Sequence, residues 1–281
     1  MLKNFLSLNE YYETYQRAVS LSMKINLVKK IVDLETVVLK SLNSEIYSEK
    51  IIFYILNNID KKNRFTFNRY IFILSNVEIP EKYKTKVIEL YFNIINSNKE
   101  NYVKTDRVIF AIKGLSKFKS ENFEENIIKL EKYEMFNLYK KDFILLLGKT
   151  NSSIKSLKFL VECLKKYKDI TEEICWSIGI IASFKNPCFI ERKYLNDYLK
   201  KFLKLLKQEK FSNSKMFYFF LIEICMISNG LNGEILNKIS EVLYIDNKKS
   251  YESKLLVKVL NNIELNSDEE KQLLNYENKF I

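Results

Sequence analysis

The sequence predicts an all-α protein, an α-solenoid of stacked antiparallel helical hairpins with about 14 helices. Three observations predict it. Apolar residues recur at helical spacing nearly throughout, the 281 residues hold only 5 Gly and 2 Pro, and the breaks between apolar stretches carry helix-cap chemistry. Strand-rich folds need frequent tight turns that lean on Gly, Pro, Asn and Asp. Asn is plentiful here, yet the scarcity of Gly and Pro favours long uninterrupted helices. With 47% hydrophobic and 29% charged residues, the composition is that of a folding chain rather than a disordered one.

The periodicity is clearest in two stretches. Over 194–207, Leu195, Leu199, Phe202 and Leu206 share one face, while Lys193, Asp197, Lys200, Lys204 and Lys207 share the opposite one, at about 100° per residue. Over 156–167, Leu157, Leu160, Val161 and Leu164 repeat the pattern. No run alternates apolar and polar residues long enough to require a strand. Breaks fall roughly every 12 to 20 residues. Asp169 with Glu172, and Ser267 with Glu270, have capping-box spacing. Pro80 and Pro187 suit a first helical turn, where a missing N–H costs nothing. Gly148 and Gly230 suit the position just past a helix end, where a positive φ is cheap for glycine. The most apolar window, 216–227, contains Glu223 and is shorter than the about 20 residues a bilayer span requires. It reads as a buried helix, and no membrane association is expected.

A weak internal repeat follows. The segments 107–119, 142–154 and 173–187 overlay as apolar helices closing on a large residue and then a small one: Leu115 with Ser116, Leu147 with Gly148, Ile181 with Ala182. Leu74 with Ser75 and Ile227 with Ser228 continue the series. The small residues at 75, 116, 148, 182 and 228 are 41, 32, 34 and 46 positions apart, intervals around the periods of two-helix repeats. A small residue is expected where the end of one hairpin packs beneath its neighbour.

Over 107–207, and above all over 145–167 (LLLGKTNSSIKSLKFLVECLKKY), the sequence resembles the HEAT-like repeat family. The resemblance implies one helical-repeat domain over 1–281, with atypical capping helices at 1–42 and 248–281, and a concave surface lined by the second helix of each hairpin. Tetratricopeptide repeats need small residues at fixed contact positions, and Ala18, Ala111 and Ala182 are the only alanines. The alternative architecture is a non-repetitive helical bundle.

Catalytic chemistry finds little material. Histidine is absent, which removes Ser-His-Asp and Cys-His arrangements and His-ligated metals. Cys163, Cys175, Cys188 and Cys225 show no C-x-x-C spacing. They read as reduced, buried apolar residues rather than zinc ligands. The triplet Gly148, Lys149 and Thr150 lacks the earlier glycine of a phosphate-binding loop, because Phe143 stands there. Glu124 with Glu125, Glu172 with Glu173, and Asp268 with Glu269 and Glu270 sit where helices are expected to start, and acidic residues there stabilise the dipole. Trp176, the only tryptophan, lies among Ile174, Ile178 and Ile181 and reads as core. HEAT-like alkylpurine DNA glycosylases stack aromatics near a basic concave surface, but no glycosylase residue has a match here. No enzymatic activity, cofactor or metal is expected.

The formal charge is +11, with Lys, Asn and Ile abundant and Ala scarce, a usage that an AT-rich genome produces without any anionic partner. The distribution is more informative than the total. Residues 155–210 hold 13 basic and 7 acidic residues, a net +6, whereas 251–281 hold 4 and 6, a net −2. Lys155, Lys158, Lys165 and Lys166 fall on one second helix, and Lys193, Lys200, Lys204 and Lys207 on the next. A solenoid would set them in one basic field. Such a field is either a solvated face or a binding face. Lysines without arginine read phosphate charge rather than base edges. The expected function is non-catalytic macromolecular recognition, as a scaffold, adaptor or inhibitor of another protein. Nucleic-acid binding through the 155–210 lysines is the alternative. Residues 1–5 lack a secretory apolar core and Glu10 and Glu13 follow closely, so a cytoplasmic location is expected.

Overall fold

The computed structural model describes residues 2–41, 45–182, 219, 221–222, 251–261 and 263–280. Among them it is all-helical, with twelve α-helices and no strand. The helices are α1 (Leu2–Arg17), α2 (Leu21–Ser41), α3 (Glu45–Asn58), α4 (Arg64–Asn76), α5 (Glu81–Ser97), α6 (Asp106–Leu115), α7 (Glu124–Leu130), α8 (Glu134–Lys149), α9 (Ile154–Lys166), α10 (Thr171–Ala182), α11 (Tyr251–Leu260) and α12 (Ser267–Glu277). The chain divides into two compact units, 1–115 and 116–281. The expected helix over 194–207, the window 216–227 apart from 219 and 221–222, Pro187, Gly230, Ser228, Cys188 and Cys225 lie outside the described residues.

In the first unit α1 packs on α2, and α6 packs on both α4 and α5. Phe5, Leu8 and Tyr12 of α1, Ile31 and Val38 of α2, and Tyr70, Ile71 and Leu74 of α4 are buried. A polar knot ties three of these helices together. The Tyr12 hydroxyl donates to Glu35 Oε1 at 2.6 Å, and Arg69 Nε donates to the same oxygen at 2.6 Å. A second Arg69 nitrogen reaches Glu35 Oε2. A buried carboxylate is costly unless it is paired and hydrogen-bonded, and Glu35 is both. Burial, followed by the Glu35 charge, pushes the Tyr12 phenol far above its ordinary pKa.

In the second unit α8 packs on α10, α7 on both α8 and α9, and α9 on α10. Phe136, Phe143, Leu147, Leu160, Leu164, Ile174 and Trp176 form the core. Trp176 is fully buried, donates from Nε1 to the Tyr276 carbonyl at 3.1 Å and meets Phe280 edge-on. The core role expected for it is therefore what the structure has. α8 leaves helical geometry at Tyr139 (φ −118°, ψ 18°).

Several local expectations shift by a residue or two. The capping box at α12 uses Asn266 with Glu269, not Ser267 with Glu270. Asp169 lies inside the 3-10 turn Lys168–Ile170 that precedes α10 rather than at that helix's N-cap, and its carboxylate accepts from Lys140 Nζ at 2.8 Å. Pro80 is the N-cap of α5, one residue before the first turn. Gly148 lies inside α8 rather than past its end. What requires glycine there is close approach, since a Cβ would stand 2.7 Å from the Trp176 ring and 3.0 Å from the Ser177 Cα. Ser116 does not match Gly148 in role. It is half-buried beyond α6, and the tight residue of that helix is Gly114, where a Cβ would meet the Tyr91 ring at 2.3 Å. Gly114 faces α5, the helix before its own, and Gly148 faces α10, two helices on, so the two are not equivalent either.

Candidate functional site

The second unit carries a groove of about 660 Å³ between α7 and α9. Its position follows from how α9 starts. Ser153 is the N-cap and its hydroxyl accepts from the Lys155 N–H. The same residue is gripped by α7: Ser153 N–H and Oγ donate to Glu124 at 2.9 and 2.7 Å, and Ser156 Oγ donates to it at 3.0 Å. Glu124 is buried. Burial alone would raise its pKa, but the Ser153 and Ser156 hydrogen bonds outweigh it and hold the carboxyl below its ordinary value. One glutamate thus begins α7 and caps the start of α9.

Farther along, Lys166 Nζ donates to Glu131 at 2.6 Å, and that bond raises the lysine's pKa. Lys155 pairs with Glu125 at 2.8 Å, and Lys165 pairs with Glu162 on its own helix at 3.2 Å. Between these pairs run Ile128, Phe159 and Val161, with Cys163 beneath. Cys163 is buried and free, and burial pushes its thiol up to about 12, so it is a neutral, unreactive wall atom. Cys175 is likewise free, buried and pushed up to about 12 by burial.

The structure therefore brings Lys155, Lys158 and Lys166 of the expected basic face to one groove, with Lys165 beside it. It also supplies what sequence reasoning missed, the carboxylates of Glu125, Glu131 and Glu162. Three of the four lysines are ion-paired. Among the described residues Lys158, which is exposed, has no such partner. Lys193, Lys200, Lys204 and Lys207 lie outside the described residues. A signal for the missing carboxylates was present: Lys155 and Glu125 are 30 positions apart and Lys166 and Glu131 are 35, close to the intervals of the small residues.

Among the described residues the groove offers an apolar floor, a rim of neutralised pairs and the unpaired Lys158 ammonium, and its thiol, Cys163, is buried and neutral. No group of three or more His, Cys, Asp or Glu side chains able to hold a metal occurs among the described residues, and none of their helices is long and apolar enough to cross a membrane. Gly148, Lys149 and Thr150 close α8, and the Thr150 hydroxyl donates to the Leu146 carbonyl at 2.9 Å. The chain matches no family model, no curated protein and no solved structure.

Proposed function

We propose that this protein is a non-catalytic, cytoplasmic recognition protein of the HEAT-like solenoid kind, which binds another protein in the groove between α7 and α9. The pairing of α4 with α6, α7 with α9 and α8 with α10 supports stacked hairpins, because alternate helices meet when hairpins stack. One observation carries the choice of partner: three of the four lysines offered to a ligand already hold carboxylates. A phosphate backbone would have to displace those glutamates or lie against them. A protein segment with an apolar side chain for the Phe159 and Ile128 floor and a carboxylate for Lys158 meets no such conflict.

Nucleic-acid binding is the second reading, favoured by the +6 of residues 155–210. Titration of the full chain with random DNA and RNA at near-physiological salt separates the two. The protein reading expects no binding that Lys158→Glu abolishes. Micromolar binding with a steep salt dependence, lost in that variant, would replace it with the nucleic-acid reading.

A further inference from the structure

α2 carries two apolar stripes. Leu27, Ile31 and Val38 are buried in the first unit, whereas Leu21, Ile25, Val28 and Val32 stand 75%, 62%, 43% and 51% exposed. The exposed four follow one another by steps of four, three and four residues, which sets them on a single helix face. The same spacing is the seam by which two helices pair. Scattered exposed apolar residues are ordinary, but a continuous stripe of branched side chains marks an interaction surface.

The edges of the stripe are basic. Lys24 flanks one side, held over the Tyr15 ring at 6.0 Å, and Lys29, which is exposed, flanks the other. The nearest carboxylate, Glu35, is buried and committed to Tyr12 and Arg69. Asp33 lies about a third of a turn round the helix from the stripe. A second copy of the chain answers neither edge. In a parallel pair Lys24 would face Lys29 of the other copy, and in an antiparallel pair that seats Ile25 on Val28 neither lysine would meet a carboxylate.

We infer that the exposed face of α2 docks an amphipathic helix from a different protein, one with apolar residues at the same four-three-four spacing and Glu or Asp along both edges. The apolar seam supplies contact and the lysines supply orientation and selectivity. This surface is separate from the α7–α9 groove and does not depend on it.

The probe is a labelled synthetic helix of three heptads with Leu at the seam and Glu at both edges, titrated by anisotropy against the full chain, beside a twin with Lys at the edges. The Glu peptide is expected to bind, more weakly as salt rises, and the Lys twin to bind about tenfold less tightly or worse. Ile25→Glu with Val28→Glu should weaken the Glu peptide about tenfold or more with an unchanged helical spectrum, because both side chains already face solvent. Equal binding of the twins, or an unaltered affinity in the double variant, overturns the inference. So does a dimer of the full chain that the double variant dissociates, which would give the stripe to a second copy. Lys158→Glu should leave peptide binding unchanged; a loss there would move the peptide to the groove and also overturn the assignment to α2. Because the groove is read at position 158 and this face at 25 and 28, either can fail without the other.

Discussion

Gly114 and Tyr91 occupy one another's space: a Cβ at 114 would stand 2.3 Å from a fully buried ring. Gly114→Ala should therefore destabilise the protein by about 1–3 kcal/mol through overpacking. Urea denaturation checks this, and an unchanged midpoint would contradict the packing described. Glu124 makes a second residue-scale prediction with a sign that can be worked out. Its folded pKa is depressed, so its contribution is complete above about pH 4.3, where the unfolded glutamate is ionised, and fades as pH falls through the folded value. Glu124→Gln should lower stability at neutral pH by about 1 kcal/mol and flatten the loss in acid. Equal acid sensitivity in the two proteins would refute the cap. Cys163 and Cys175, with thiols pushed up to about 12 by burial, should resist alkylation in the native protein when mapped by mass spectrometry. Legibility at this scale was partial. Asn266 with Glu269 and Ser267 with Glu270 are overlapping frames with the same chemistry. Tertiary contact chooses the first, since Glu269 also receives Lys258 at 2.5 Å. Gly114 went unnoticed for a similar reason: its partner is 23 positions upstream, where no helical period points.

The helices themselves were legible because each carries its own signal. α9 buries Leu157, Leu160, Val161 and Leu164 as its periodicity requires, and α7 starts at Glu124 and Glu125. What a helix meets is written elsewhere in the chain. The lysines of α9 read as a basic face only because the glutamates that meet Lys155 and Lys166 lie 30 and 35 positions earlier, on and just past α7. The pairs differ from the free lysine in a measurable way. A double-mutant cycle on Glu131 and Lys166 should return a coupling of about 0.2–1 kcal/mol, the range of partly exposed pairs. Lys158→Glu should change stability by less than about 0.5 kcal/mol. A large effect at 158 would mean that it has a partner in the fold, and the groove would lose the cation left unpaired among its described residues.

At the scale of the whole molecule, the all-α class was legible because periodicity, caps and the scarcity of Gly and Pro agree along the chain. A circular dichroism spectrum dominated by helix is expected, and substantial β content would contradict it. Net charge was the least transferable reading. A total of +11 does not say which lysines are answered by carboxylates, and that distribution decides what the groove can hold. The most direct test places a photo-reactive amino acid at position 162, on the groove's rim, which leaves Lys158 in place, and irradiates the full chain in native lysate. The account predicts adducts that protease destroys and nuclease leaves intact, and that are lost when Phe159→Asp is added to remove the apolar floor. Adducts that nuclease destroys would contradict it and assign the groove to nucleic acid.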